Sequence, residues 1–167
     1  QIGGGLYAES SSQIEIDILG GEIKENIADI SGGGIGLYVT SFSTSVLNIG
    51  GTSIEEIGTE PLIISDNNAS ISGGGMYVHG NVLVNVFKGV INSNTTLGYG
   101  GGMAISNDGE VRVHGGIIEN NSSDGNGAGV NIGSNGKFTI SGGEIKSNIS
   151  SSGNGGGVYL DSGIYTM

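Results

Sequence analysis

The chain has no cysteine, no tryptophan and a single proline among its 167 residues. Without cysteine there is neither a disulfide scaffold nor a cysteine-ligated metal centre. Aromatic residues make up only 5% of it, which argues against a core built from large side chains. Basic residues are scarce too, 5 against 16 acidic ones, for a net charge of −11. Such a surface repels phosphate, which makes nucleic acid and anionic membrane faces poor partners. Apolar runs are only a few residues long, far short of the roughly 20 that span a bilayer. No secretory leader is visible, and because the chain opens on Gln1 and not Met, one can have been removed.

What the chain has instead is glycine, 36 residues of it. Glycine with no three-residue period and almost no proline is not collagen, and 35% hydrophobic content is too apolar for a disordered linker. A β architecture with many tight turns remains. A Gly-x-Gly-apolar-x-apolar segment recurs at Gly3, Gly34, Gly73, Gly100, Gly127 and Gly155, so successive starts differ by 31, 39, 27, 27 and 28 residues. Self-similarity of this length marks a solenoid.

Each copy predicts three short strands. In the first, Leu6, Leu37, Met76, Met103, Val130 and Val158 are followed two residues on by Ala8, Val39, Val78, Ile105, Ile132 and Leu160, which puts both sets on one face. The residue between them, on the opposite face, is Tyr7, Tyr38, Tyr77, Ala104, Asn131 or Tyr159. The second strand reads Ile16-Asp17-Ile18, Val84-Asn85-Val86, Val111-Arg112-Val113 and Phe138-Thr139-Ile140, and usually ends on paired glycines. The third sets an isoleucine three residues before an asparagine, in Ile23…Asn26, Ile64…Asn67, Ile91…Asn94, Ile118…Asn121 and Ile145…Asn148. Asn26, Asn67, Asn94, Asn121 and Asn148 are therefore expected to stack along the axis as a structural ladder, their amides pairing backbone groups.

The expected fold is an all-β, right-handed parallel β-helix, a single domain over residues 1–167 with about six coils of roughly 27–28 residues, three strands per coil and uncapped ends. Residues 52–61 form an acidic excursion from it, carrying Glu55, Glu56 and Glu60 and closing on Pro61. Aliphatic burial alone does not offset the ordering of so much backbone, so hydrogen bonds between coils and the asparagine stack must supply the rest.

Gly-Gly-Gly-Val-Tyr-Leu at 155–160, together with Thr-Ile-Ser-Gly-Gly-Glu-Ile-Lys-Ser-Asn at 139–148, resembles the right-handed parallel β-helix repeats of bacterial surface proteins and adhesins. That group includes the polymorphic outer-membrane protein type, which carries Phe-x-x-Asn where this chain has Ile-x-x-Asn. The likeness runs over essentially the whole chain. It implies an extracellular or cell-surface protein that is structural or adhesive and not catalytic, with no cofactor and with host or matrix glycans as partners. The uncapped ends add the expectation of end-to-end self-association into a filament, since a heterologous contact that does not close makes a fibre.

Parallel β-helices also host polysaccharide lyases and hydrolases, the competing expectation. Such enzymes need clustered carboxylates, often around calcium, or a basic residue on the same face. Asp17 and Arg112 share an outward position but stand three coils, roughly 14 Å, apart. His79 and His114 fall on different strands, and neither has an orienting acid beside it. The acidic set Glu15, Asp17, Glu22 and Glu25 reads first as a solvating surface, with calcium as the sharper alternative, although no calcium-loop motif is present. Tyr7, Tyr38, Tyr77 and Tyr159 are the candidate binding residues, a stacking platform for a sugar or a neighbouring rod. The plainer account is that tyrosine favours strand surfaces, and the interruption at Ala104 and Asn131 argues against a continuous groove. Asn-x-Ser/Thr occurs at Asn68, Asn94, Asn120, Asn121 and Asn148, but three of these are ladder positions, where turn chemistry accounts for them better than glycosylation.

Overall fold

The structure, a computed structural model, describes residues 1–53 and 60–167. The centre of the acidic excursion, including Glu55 and Glu56, lies outside the described residues. Among the described residues every regular element is a β-strand, and the strands form four parallel ladders. The first holds Leu6–Ser10, Ile35–Val39, Met76–Gly80, Met103–Ser106, Val130–Ile132 and Val158–Leu160. The second holds Glu15–Ile18, Ser45–Ile49, Val82–Val86, Glu110–Val113, Lys137–Ile140 and Ile164–Thr166. Five strands make the third, Gly21–Lys24, Leu62–Ser65, Gly89–Asn92, Ile117–Glu119 and Glu144–Lys146. Each strand pairs with its counterpart one coil away and never with its neighbour in sequence, so the chain is a parallel β-solenoid of about six turns.

The register lines up the aliphatic rows. Leu6, Ile35, Met76, Met103, Val130 and Val158 succeed one another in the first ladder. Ile16, Leu47, Val84, Val111 and Phe138 do so in the second, and Ile23, Ile64, Ile91, Ile118 and Ile145 in the third. Leu6, Ile16, Ile23, Ile145 and Val158 are partly buried at the ends, and the other members are buried and form one continuous core.

Two features differ from the sequence expectation. The coil has a fourth ladder of two-residue strands, Ile27–Ala28, Asn68–Ala69, Thr95–Thr96, Ser122–Ser123 and Ile149–Ser150. Its inward residues are small (Ala28, Ala69, Thr96, Ser123), so no apolar alternation announces it. The second coil also opens two residues early. Gly32 takes the left-handed φ of 68° that Gly100 takes and that Gly73 approaches at 63°. Both Gly32 and Gly34 begin a Gly-x-Gly-apolar-x-apolar run, and the triplet Gly32-Gly33-Gly34, like Gly73-Gly74-Gly75, marks the true start. The third glycine is needed because a Cβ on Gly34 would lie 2.7 Å from the Gly75 carbonyl oxygen. A slip of two preserves the pleat, so Ile35 and Leu37 fill the core positions that were assigned to Leu37 and Val39.

The asparagine ladder forms as expected. Each amide nitrogen donates to the side-chain oxygen of the next asparagine, Asn26 to Asn67, Asn67 to Asn94 and Asn94 to Asn121 at 3.0 Å and Asn121 to Asn148 at 2.9 Å. The same oxygens accept the backbone N–H of the preceding ladder residue at 2.9–3.1 Å. The second amide proton goes to the isoleucine carbonyl one coil back, as from Asn94 to Ile64 at 2.9 Å. Asn67, Asn94 and Asn121 are fully buried and have all four hydrogen-bonding sites engaged. The residue before each ladder asparagine (Glu25, Asp66, Ser93, Asn120, Ser147) has φ between 53° and 59°. That conformation costs an L-residue about 1–2 kcal/mol, so the ladder works against local strain in every coil.

Replacing Asn94 tests this. Asn94→Ala deletes four hydrogen bonds and strands buried partners, an expected loss of about 3–5 kcal/mol in urea denaturation. Asn94→Asp keeps the acceptor but points a carboxylate at the Ile64 carbonyl and the Asn121 side-chain oxygen. Burial among acceptors raises its pKa, so its deficit relative to wild type is expected to shrink as pH falls and the acid becomes a donor.

Candidate functional site

With the ladder asparagines committed to holding the coils together, the chemistry open to a partner lies outside. On the outward face of the first sheet the observed row is Tyr7, Gly36, Tyr77, Ala104, Asn131 and Tyr159. Tyr38 is not in it. The two-residue slip places Tyr38 in the next outward row, between Glu9 and His79 and followed by Ser106. The four tyrosines are thus divided between two rows, and the expected single platform is not formed.

The displaced tyrosine builds something else. Its ring stacks on His79 at 4.3 Å between centroids and 9° between planes. His79 Nδ1 lies 3.0 Å from the Tyr77 hydroxyl and 3.2 Å from Ser106 Oγ, and its Nε2 lies 3.0 Å from the Asn107 amide nitrogen. With that amide donating to Nε2, Nδ1 carries the proton and donates to the hydroxyls. In this tautomer His79 gives a hydrogen bond toward Ser106 and does not take its proton, the reverse of what activates a serine nucleophile. None of the hydrogen bonds to the ring comes from a carboxylate among the described residues. Burial pushes the His79 pKa down. The cluster is a neutral polar brace joining three coils.

On the second sheet the outward residues Asp17, Asn48 and Asn85 make a second hydrogen-bonded chain, two amides ending on a carboxylate, that sequence reading missed. Asn48 donates to Asp17 at 2.8 Å and Asn85 to Asn48 at 2.9 Å. The signal was present as three polar residues at one outward position of successive coils. Arg112 shares that row but turns to Glu110, at 2.6 Å. His114 stacks on Phe87 at 5.0 Å, away from the His79 cluster. Lys146, which faces Glu119 in the register, bridges to it one coil away at 3.7 Å and more closely to Glu144 on its own strand at 2.7 Å. Among the described residues no three His, Asp or Glu side chains converge to hold a metal ion. Of the Asn-x-Ser/Thr sites, Asn94 and Asn121 are buried with their amides in the ladder, which closes them to modification.

Between Tyr77 and Tyr159 the outward row drops to Ala104 and Asn131. There the surface opens into a cleft of about 370 Å³, lined also by Tyr99, Ser106, Asn126 and Asp161. The interruption that argued against a groove in the sequence is what makes one in the structure. A larger cavity of about 550 Å³ opens on the end of the last coil among Ile140, Ile145, Val158 and Tyr165. Its walls are core positions that the next turn covers in every earlier coil. No family model, curated protein or solved structure matches the chain.

The depressed His79 pKa fixes the sign of a pH effect. The unfolded chain takes up a proton near the ordinary histidine value of about 6.5 while the folded chain resists it. Stability from this group is therefore present above about pH 6.5 and declines as pH falls through the lower, folded pKa. His79→Gln is expected to flatten the change in urea midpoint between pH 7.5 and 5.5 relative to wild type. Equal slopes for both chains would contradict the geometry.

Proposed function

We propose that the chain is an extracellular, non-catalytic β-solenoid that works as a rigid adhesive surface, with the outward face of the first sheet as its contact face. The carrying observation is the division of labour among polar groups. The buried amides are all consumed in joining coils, whereas tyrosine, serine, asparagine and aspartate groups gather around one cleft on that face. The likeness of the repeats to those of bacterial surface proteins and adhesins supports the same reading, as does an acidic surface suited to life in solvent.

Axial self-association belongs to this reading as its assembled form. The outermost strands, Leu6–Ser10 at one end and Val158–Leu160 at the other, each have one ladder partner, and Leu160 and Ile164 stay about half exposed. A second copy added in register would continue the ladders. Sedimentation velocity across a concentration series is expected to show species growing in steps of one chain mass. A monomer at every concentration removes the assembled form and leaves adhesion in place.

The competing reading is a polysaccharide lyase or hydrolase. Protein coupled to beads is expected to retain glycan from a panel of neutral and acidic polysaccharides without releasing reducing ends or unsaturated products, with or without calcium. Product release overturns the non-catalytic reading, and failure to retain any glycan overturns the adhesive one.

A further inference from the structure

We propose that the cleft between Tyr77 and Tyr159 seats a neutral oligosaccharide, with Ala104 and Asn131 as its floor and the tyrosines as its walls. The inference rests on the adhesive reading only in taking the sugar to be bound and not turned over.

The geometry comes from the register. Tyr77, Ala104, Asn131 and Tyr159 occupy one outward position of four successive coils. Three coil steps separate the two tyrosines by about 14 Å along the axis. A small residue followed by a medium one between them leaves a gap, and Tyr99, 48% exposed, flanks it from the coil corner. The resulting volume of about 370 Å³ falls within the range of small-ligand sites.

The chemistry of the lining selects the ligand class. A sugar ring has apolar C–H faces and a rim of hydroxyls, and tyrosine offers an apolar body with a polar tip to match. Asn131 brings two donors and an acceptor. Its amide has no hydrogen-bonding partner among the described residues, unlike Asn48 and Asn85, which are tied to their neighbours in the adjacent sheet. The lining contains one carboxylate, Asp161, and no Lys, Arg or His. A carboxylate accepts hydroxyl protons well. An acidic sugar would face Asp161 with no counter-charge in the cleft, so the site discriminates toward neutral rings.

Saturation-transfer NMR on the full chain, with cellobiose, maltose and lactose beside a glucuronate-containing disaccharide, tests this. Transfer to at least one neutral disaccharide and none to the acidic one is expected. Tyr159→Ala, which removes a wall, and Asn131→Tyr, which fills the floor, should each weaken binding about tenfold or more. Tyr7→Ala, in the same row but outside the cleft, should leave it unchanged. Circular dichroism and the urea midpoint establish that each variant is folded. No transfer to any neutral disaccharide, a preference for the acidic one, or undiminished binding by folded Asn131→Tyr overturns the proposal. Bead retention separates this from the broader reading. If Asn131→Tyr loses the disaccharide while beads still hold glycan, the cleft assignment stands and adhesion uses a further surface. If wild type releases products from a bound neutral glycan, the adhesive reading falls and the cleft remains the sugar seat.

Discussion

A buried amide has two protons to give and two lone pairs to fill, and at one corner of this solenoid three successive coils each bury one. All four sites are satisfied at once by an identical amide in the coil on either side, an isoleucine carbonyl and the backbone N–H of the neighbouring ladder asparagine. Once Asn67, Asn94 and Asn121 are so satisfied, the axial spacing of the coils is set and neighbouring coils cannot slide past each other. The aliphatic rows then fall into line because they sit at fixed offsets from the same corner. Packing of Ile64, Ile91 and Ile118 depends on that alignment as much as it contributes to it.

The constraint acts inward far more than outward. Core rows hold to aliphatic residues with Phe138 as the one wholly buried ring, whereas the outward row of the first sheet runs through tyrosine, glycine, alanine and asparagine. Local chemistry on the surface therefore arises where successive coils differ. The His79 brace exists because the second coil carries its tyrosine one outward place further along, so that a phenol faces an imidazole. The cleft exists because two successive coils lack the ring that bounds it on either side.

The same asymmetry explains how much of this was legible in the sequence. Positions repeated in every coil could be read directly. The ladder asparagines and, outside the second coil, the inward row of the first strand are as the spacing indicated. The fourth ladder was silent because Ala28, Ala69, Thr96 and Ser123 carry no apolar period. The second coil was misplaced because overlapping Gly-x-Gly runs gave two admissible starts of equal parity, which are separated by the left-handed φ of Gly32 and the crowding of backbone around Gly34. The brace draws on Tyr38, Tyr77, His79, Ser106 and Asn107, side chains brought together from three coils, and no linear pattern contains them. The cleft is a missing side chain, which spacing marks as an interruption without revealing that its flanks enclose a volume.

The early start of the second coil shows how such a scaffold changes its face without touching its interior. A strand has two faces and a reading frame of two, so gaining or losing residues in pairs leaves every aliphatic group pointing inward while the exterior text moves along by one place. Here the second coil sets Gly36 in the row that carries tyrosine in its neighbours, and places Tyr38 against His79 in the next row. Paired insertions and deletions at the glycine corners are thus a route by which a solenoid of this kind can vary what it presents to the outside while its interior and its amide spine stay as they are.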